Sequence, residues 1–223
     1  YSPTTGTLIV GDVVTATITA GEAGLTAGAI TINSVDVAST LVDNADNTYT
    51  LTYTIVEGNN DIAAAATMPL SIVLADAAGN ESAAFVTAPV ANTTPTIDAN
   101  SPVVSLAAYS PTSGSLGVGD DITLTITAGE TGLSASSATV NTVDVASTLV
   151  DNADNTYTFT YTIAENNNTI LDSETIPLSV VLSDAAGNTN TAYTTAPLAA
   201  NTPAIDATLA SITALSFTPN STI

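Results

Sequence analysis

The sequence contains no lysine, arginine, histidine or cysteine, and its 21 acidic residues give a formal net charge of −21. Without a cationic side chain, no side-chain salt bridge can form. The missing cysteine excludes disulfides, thiolate nucleophiles and cysteine-ligated zinc. The other missing residues exclude a histidine base, a lysine Schiff base, Ser-His-Asp and Cys-His pairs and the lysine of a P-loop. We therefore expect no enzymatic activity.

The same composition limits the partners. Nucleic-acid backbones are bound through lysine and arginine, so nucleic acid and anionic membrane surfaces are excluded as partners. No apolar run approaches the ~20 residues of a membrane span. Paired carboxylates could serve glycoside hydrolysis, but tryptophan is absent and aromatic residues are only 4%, so nothing marks a substrate cleft. The first residue is tyrosine, which favours a processed, secreted chain at an extracellular or cell-surface location.

The chain contains two tandem copies of one sequence repeat. Tyr1-Ser2-Pro3-Thr4 returns as Tyr109-Ser110-Pro111-Thr112, and a third copy starts at Phe217. This repeat predicts a first domain at 1–98, a second at 99–206 and a C-terminal tail at 207–223.

The positions at which the repeats start predict that the two domains differ by one strand. An apolar segment, 103–108, precedes the second start, and its counterpart, 211–216, precedes the third, whereas nothing equivalent precedes Tyr1. The first domain is therefore expected to lack a first strand that the tail carries in surplus.

Alternation with period two predicts strands. Between Thr48 and Ile55 every threonine falls on one face, while the other face carries Tyr49, Leu51, Tyr53 and Ile55. This spacing favours tyrosines packed in a core over a glycan-stacking platform. Further strands are predicted at Ala29–Val35, Ser39–Val42 and Ala83–Val90. About seven strands per copy predict an all-β fold of two tandem immunoglobulin-like Greek-key β-sandwiches. One hypothesis is that a strand from a neighbouring subunit completes the first.

Several motifs carry a resemblance to a known family. They are Leu8–Asp12 and Leu116–Asp120 before threonine-alternating strands, Tyr53–Asn60, and Asp76–Asn80. Together they resemble the bacterial Ig-like tandem repeats of large extracellular adhesins, across essentially all of each copy. The resemblance implies an extracellular rod of tandem modules, often stiffened by calcium. The complete loss of basic residues departs from most such modules.

Recurring acidic loop residues suggest a metal site. Carboxylates from several loops are what Ca²⁺ requires, with six to eight oxygen ligands. The alternative is that these residues only make turns, where Asp and Asn side chains accept hydrogen bonds from nearby backbone N–H groups. The calcium hypothesis assigns the ligands to Asp98, Glu130, Asp151, Asp154, Asp184, Asp12 and Glu57.

The C-terminal tail is the segment that suggests a function, and Ile212, Leu215 and Phe217 are its predicted assembly residues. Two hypotheses for this function stay open. In the first, the tail of one copy completes the sheet of the next by β-augmentation, giving a head-to-tail homopolymer. In the second, the chain is part of a longer covalent array, acting as the stalk or the ligand-binding part of an adhesin that contacts a glycan or protein.

Overall fold

A computed structural model describes residues 1–89 and 94–217 as β-strands joined by turns and short 3-10 helices. The chain forms two compact units. The first unit comprises Tyr1–Pro102 with Ser183–Asn190, and the second comprises Val103–Leu182 with Thr191–Ile223. The division at Pro102 falls slightly after Asp98, where the repeat predicted the domain boundary.

The first unit is a β-sandwich of two antiparallel sheets with a small parallel pair. One sheet has the order β2-β6-β5, the other has the order β4-β3-β7, and β1 pairs with β8 in parallel. The strands are β1 (Thr7–Leu8), β2 (Val13–Thr19), β3 (Thr26–Ile32), β4 (Val35–Asp36), β5 (Val42–Asp43), β6 (Thr48–Thr54), β7 (Leu70–Ala75) and β8 (Thr96–Ile97).

The second unit repeats this arrangement with one strand more. Its sheets have the orders β14-β15-β11-β9 and β13-β12-β16, and β10 pairs with β17 in parallel. The strands are β9 (Val104–Ser110), β10 (Ser115–Leu116), β11 (Asp121–Ala128), β12 (Ser134–Val140), β13 (Val143–Asp144), β14 (Val150–Asp151), β15 (Thr156–Thr162), β16 (Leu178–Ser183) and β17 (Ala204–Ile205). The prediction of two tandem immunoglobulin-like sandwiches is confirmed.

Alternating side chains build each core. On β6, Tyr49, Leu51 and Tyr53 are fully buried, and the threonines between them face outward. The register places Thr15 opposite Thr52, so threonines from neighbouring strands meet on the outer face. The second unit repeats the pattern with the core residues Tyr157, Phe159 and Tyr161. The tyrosines therefore pack in the core, as the alternation predicted.

A buried hydrogen-bond network fixes the β12–β13 turn. The Tyr161 hydroxyl donates to Asn167 Oδ1 at 3.0 Å and accepts from Asn141 Nδ2 at 3.1 Å. Asn141 Nδ2 also donates to the Asn168 carbonyl at 2.7 Å. Asn141 and Thr142 have φ of 49° and 68°, the left-handed pair that a two-residue hairpin turn requires. The sequence pattern did not predict this network.

The first unit contains the same network. The Tyr53 hydroxyl donates to Asn59 Oδ1 at 3.0 Å, and Asn33 Nδ2 donates to Tyr53 at 3.1 Å and to the Asn60 carbonyl at 2.7 Å. Asn33 and Ser34 form the turn between β3 and β4. The single strand predicted at Ala29–Val35 is therefore two strands separated by this turn.

Two other strands do not form over the ranges predicted for them, although β5 begins at Val42, the last residue of one. Within Ser39–Val42, residues up to Thr40 belong to a 3-10 helix, because the Asp36 carboxylate accepts from the Ala38 N–H at 3.0 Å and Thr40 Oγ1 donates to the Val37 carbonyl at 2.8 Å. Ala83–Val90 contributes only an isolated bridge, between Phe85 and Ile72, over its described part. Pro89 lacks the N–H that a continuing ladder needs, and Val90 lies outside the described residues.

We predict that the buried phenols resist ionisation. Burial raises the pKa of Tyr1 to about 12 and also raises the pKa values of Tyr53, Tyr109, Tyr157 and Tyr161. Raised pKa values in the folded state mean that folding favours the protonated phenols. Their contribution to the free energy of unfolding is fully present below the unfolded pKa of about 10 and is lost as pH rises through the folded values.

Phenolate absorbance measures this directly, because with tryptophan and cysteine absent tyrosine is the side chain whose near-ultraviolet absorbance changes on deprotonation. At about pH 11, the native protein should show less phenolate than the protein in urea. Superimposable native and denatured titration curves would contradict the burial of these rings.

The network predicts a cost for Tyr161→Phe. Removing the hydroxyl leaves a buried Asn141 N–H without its partner, so the free energy of unfolding should fall by about 1–3 kcal/mol. Thr125→Val, on the outer face of β11, is the matched control and should change it by less than about 0.5 kcal/mol. Chemical denaturation measures both, and equal effects would contradict the network's role.

Candidate functional site: a strand-acceptor groove

The candidate site lies at one edge of β2. In the second unit, the equivalent strand β11 is paired with β15 on one edge and with β9 on the other. In the first unit, β6 pairs with one edge of β2, but the other edge pairs only with Ser2. Ser2 exchanges two backbone hydrogen bonds of 2.8 Å with Thr15. Within residues 1–89 and 94–217, no strand continues this pairing past Thr15.

The backbone beyond Thr15 is arranged to accept a strand. Hydrogen-bonded pairs recur at every second residue of an antiparallel ladder, so Thr17 and Thr19 direct their N–H and C=O groups toward this edge. Their equivalents, Thr125 and Thr127, face Ala108 and Leu106 of β9. An unpaired sheet edge of this kind is a template for another strand.

An open apolar groove of about 800 Å³ accompanies this edge. It lies between β2, β7 and the segment 81–89, and Tyr1 lines it as well. Its apolar walls come from Ala16, Ile18, Leu25, Leu74 and Phe85. All of these residues belong to the first unit.

The second unit shows what covers the equivalent surface. Ile126, Leu133 and Leu182 are buried, with exposures of 0%, 4% and 0%, whereas their first-unit equivalents are only half-buried. These equivalents are Ile18, Leu25 and Leu74. In the second unit, β9 directs Ala107 and Tyr109 into the core. The groove is therefore the surface that a strand like β9 would cover.

Tyr1 occupies the position of Tyr109. Its hydroxyl donates to the Met68 carbonyl at 3.2 Å, as the Tyr109 hydroxyl does to the Ile176 carbonyl at 3.2 Å. The first unit thus contains the last residues of a β9-like strand, and the groove begins where that strand would continue.

The tail carries the predicted assembly residues on a segment that is exposed from 208 to 217. Asp206 anchors its start, with its N–H donating to the Leu116 carbonyl at 2.9 Å. Between 207 and 217 no strand forms, and Ile212, Leu215 and Phe217 are 92%, 77% and 86% exposed. The remainder of the third copy, 218–223, lies outside the described residues. The donor-strand role of the three apolar side chains stays a prediction.

The predicted calcium ligands of the first unit each accept backbone hydrogen bonds, which come from neighbouring residues at Asp12 and Asp98 and from a residue distant in sequence at Glu57. Asp12 accepts from the Ile9 N–H at 3.0 Å, Asp98 from the Asn100 N–H at 3.2 Å, and Glu57 from the Ser101 N–H at 3.0 Å. Asp184, which groups with this unit, accepts from three successive N–H groups, the shortest at 2.7 Å from Gly187.

Two of the ligands predicted in the second unit, Asp151 and Asp154, also accept hydrogen bonds through their carboxylates. Asp151 accepts from the Ala153 N–H at 2.8 Å and from the Gly132 N–H at 3.0 Å. Hydrogen bonds from the Thr156 hydroxyl and N–H hold the pKa of Asp154 below its ordinary value. At Glu130, the third predicted ligand, it is the backbone carbonyl that accepts from the Tyr157 hydroxyl, at 2.9 Å.

Among the described residues, no three acidic side chains come together in a group that could hold a metal ion. Hydrogen bonds typical of turns account for the Asp positions, and the calcium site stays a prediction. The groove walls were not predicted individually, although aligning the copies would identify them as equivalents of the residues under β9.

Comparisons with known proteins give no family. No protein-family model and no curated protein matches the chain. A solved structure similar to it is the I9-I11 tandem from titin, with 12% identity, 90% of this chain covered and a TM-score of 0.28. The match spans 62% of that titin chain. At this TM-score the likeness carries no argument, so the fold assignment rests on strand order and pairing. No described helix is long and apolar enough to cross a membrane.

The calcium hypothesis predicts a concentration-dependent rise in melting temperature. Binding to the folded state alone stabilises by about 2.7 kcal/mol when calcium is at 100 times its dissociation constant. Asp184→Asn, which keeps an acceptor oxygen but loses the charge, should reduce the rise. An unchanged melting temperature across the calcium titration would contradict the calcium hypothesis and leave turn formation as the only role of these carboxylates.

Proposed function

We propose that this protein is a non-enzymatic structural subunit of an extracellular fibre or surface filament. The tail of one copy, 207–223, enters the first-unit groove of the next copy by donor-strand exchange. The proposal depends on the comparison of the two units. In the second unit β9 covers the surface that is open in the first, and tail residues 211–217 are the repeat equivalents of 103–109, which include most of β9.

The placement of donor and acceptor favours an open polymer. The acceptor groove belongs to the first unit and the donor tail to the second. A contact between two different surfaces is heterologous, and it generates a filament whenever the rotation between subunits does not close into a ring. Each added subunit would then present a new groove and a new tail.

The contributions to such a contact are modest one by one. Each backbone hydrogen bond to Thr17 or Thr19 contributes about 0.5–1.5 kcal/mol, and full burial of an Ile212 or Leu215 side chain contributes about 1.5–3 kcal/mol. Association itself costs about 4–15 kcal/mol. The full segment is therefore needed, and assembly should depend on protein concentration.

Charge sets the conditions for assembly. Each subunit carries −21 with no cation to offset it, so neighbouring subunits repel one another. Salt shortens the screening length to about 10 Å at 0.1 M, and divalent ions such as calcium would act in the same direction. Without lysine, isopeptide bonds cannot reinforce the fibre, so its durability would come from the sandwich cores and strand exchange.

A second function is favoured by the third start of the repeat at Phe217. In a longer covalent array, the segment before each repeat would fill the groove from within the same polypeptide. The chain would then be part of the stalk or the ligand-binding region of a bacterial adhesin, with a glycan or protein as its ligand.

Deleting 207–223 separates the two. The truncation removes one small residue of the second core, Ala207. The truncated protein should keep the rest of both cores and its cooperative melting but form no filaments under conditions in which the full chain does. Electron microscopy and light scattering measure assembly. A synthetic peptide of 207–223 should bind the truncated protein and cap growing filaments of the full chain. Filaments that persist after truncation, or a full chain that stays monomeric at high concentration and high salt, would contradict strand exchange.

A further inference from the structure

We infer that the tail of a second copy enters the groove in one register, with Leu215 opposite Ile18 and packed over Ala16. This inference rests on the proposed function and specifies the residue contact that makes the first unit the acceptor. It would make Leu215 and Ala16 a matched pair, absent from the second unit.

The register follows from the repeat. In the second unit, Ala108 lies opposite Thr125, Ala107 opposite Ile126 and Leu106 opposite Thr127. The equivalent tail pairs are Ser216 with Thr17, Leu215 with Ile18 and Ala214 with Thr19. A bulge then brings Val104 opposite Ala128, so Ile212 would lie opposite Ala20.

The same register decides which side chains face inward. Ala107 is 6% exposed, whereas Leu106 is 57% exposed on the outer face. Leu215 therefore takes the inward position, and Ala214 takes the outward one. Val104 packs against the core, so its equivalent Ile212 would do the same.

A reciprocal exchange of sizes supports this pairing. The second unit combines a large groove residue, Leu124, with a small strand residue, Ala107, and both are buried. The first unit has Ala16 at the groove position, and the tail has Leu215 at the strand position. Because directly opposite and diagonal neighbours contact one another on a sheet face, the larger tail residue would fill the space left by the smaller groove residue.

The other inward positions barely differ between the units. Ile18 and Ile126, Leu25 and Leu133, and Leu74 and Leu182 are identical pairs. Ile72 replaces Val180 and takes back one methylene of the space. Ala16 is therefore the substitution that opens the first groove most, and a tail carrying Leu215 would be overpacked against Leu124 in the second unit.

Tyr1 limits the length of the entering strand. In this register Phe217 would coincide with Tyr1, which is held by the Ser2–Thr15 backbone pair and by its hydroxyl bond to the Met68 carbonyl. Phenylalanine cannot replace that hydroxyl bond. The paired segment therefore ends at Ser216, next to Tyr1.

Compensating variants of the full chain test the contact. Ala16→Leu should raise the critical concentration for assembly at least about fivefold by overpacking the groove. Leu215→Ala alone should raise it at least about tenfold by removing buried apolar surface. The double variant recreates the Leu124–Ala107 combination and should assemble better than either single variant. Ala214→Leu is the matched control, since this position faces outward, and it should leave the critical concentration within about twofold.

Melting curves show whether each variant is folded, and the tail variants alter only an exposed segment of the free subunit. Recovery in the double variant, with Ala214→Leu neutral, supports the register. A double variant that assembles no better than the better of the two single variants overturns it, as does an Ala214→Leu effect equal to that of Leu215→Ala. If the register fails while deletion of 207–223 still abolishes filaments, the proposed function stands. Filaments that survive the deletion overturn both.

Discussion

The open edge of β2 is the constraint on which the other features depend: its equivalent β11 is paired along both edges, whereas β2 is paired along one edge and on the other only as far as Thr15. This constraint connects the main features of the chain. It explains why Ile18 and Leu74 are less buried than their second-unit equivalents, and why an apolar groove lies beside Tyr1. It also underlies the role proposed for the tail, whose repeat equivalent, β9, supplies the pairing in the second unit.

Each unit is stabilised without ionic pairing between side chains. Their cores rest on alternating aromatic and aliphatic residues, such as Leu51 and Phe159, and on tyrosine hydroxyls that link strands to turns. Carboxylates work locally, as at Asp184, where a single side chain organises a turn by accepting successive N–H groups. In this way acidic residues stabilise loops while adding the charge that opposes close approach of subunits.

Periodicity predicted the fold well where one strand has one buried face. The alternation around Tyr53 predicted its burial, whereas the strand expected to be missing from the first domain and present in the tail stays a prediction. Prediction failed where side chains act on the backbone: Asp36 and Thr40 turn a predicted strand into a 3-10 helix, and Asn33 divides another into a hairpin. The residues of the groove were not predicted because its walls come from segments far apart in sequence. The exchange of a large and a small residue between Ala16 and Leu215 can be recognised only once the strand register is known.

Amide hydrogen exchange at Thr17 and Thr19 tests the central claim most directly. In the full chain under assembling conditions, both amides should become hydrogen-bonded and exchange much more slowly than in the protein lacking 207–223. Thr125 and Thr127, already paired with β9, provide the internal reference and should be protected in both. Equal, rapid exchange at Thr17 and Thr19 in assembled and truncated protein would contradict strand completion at this edge.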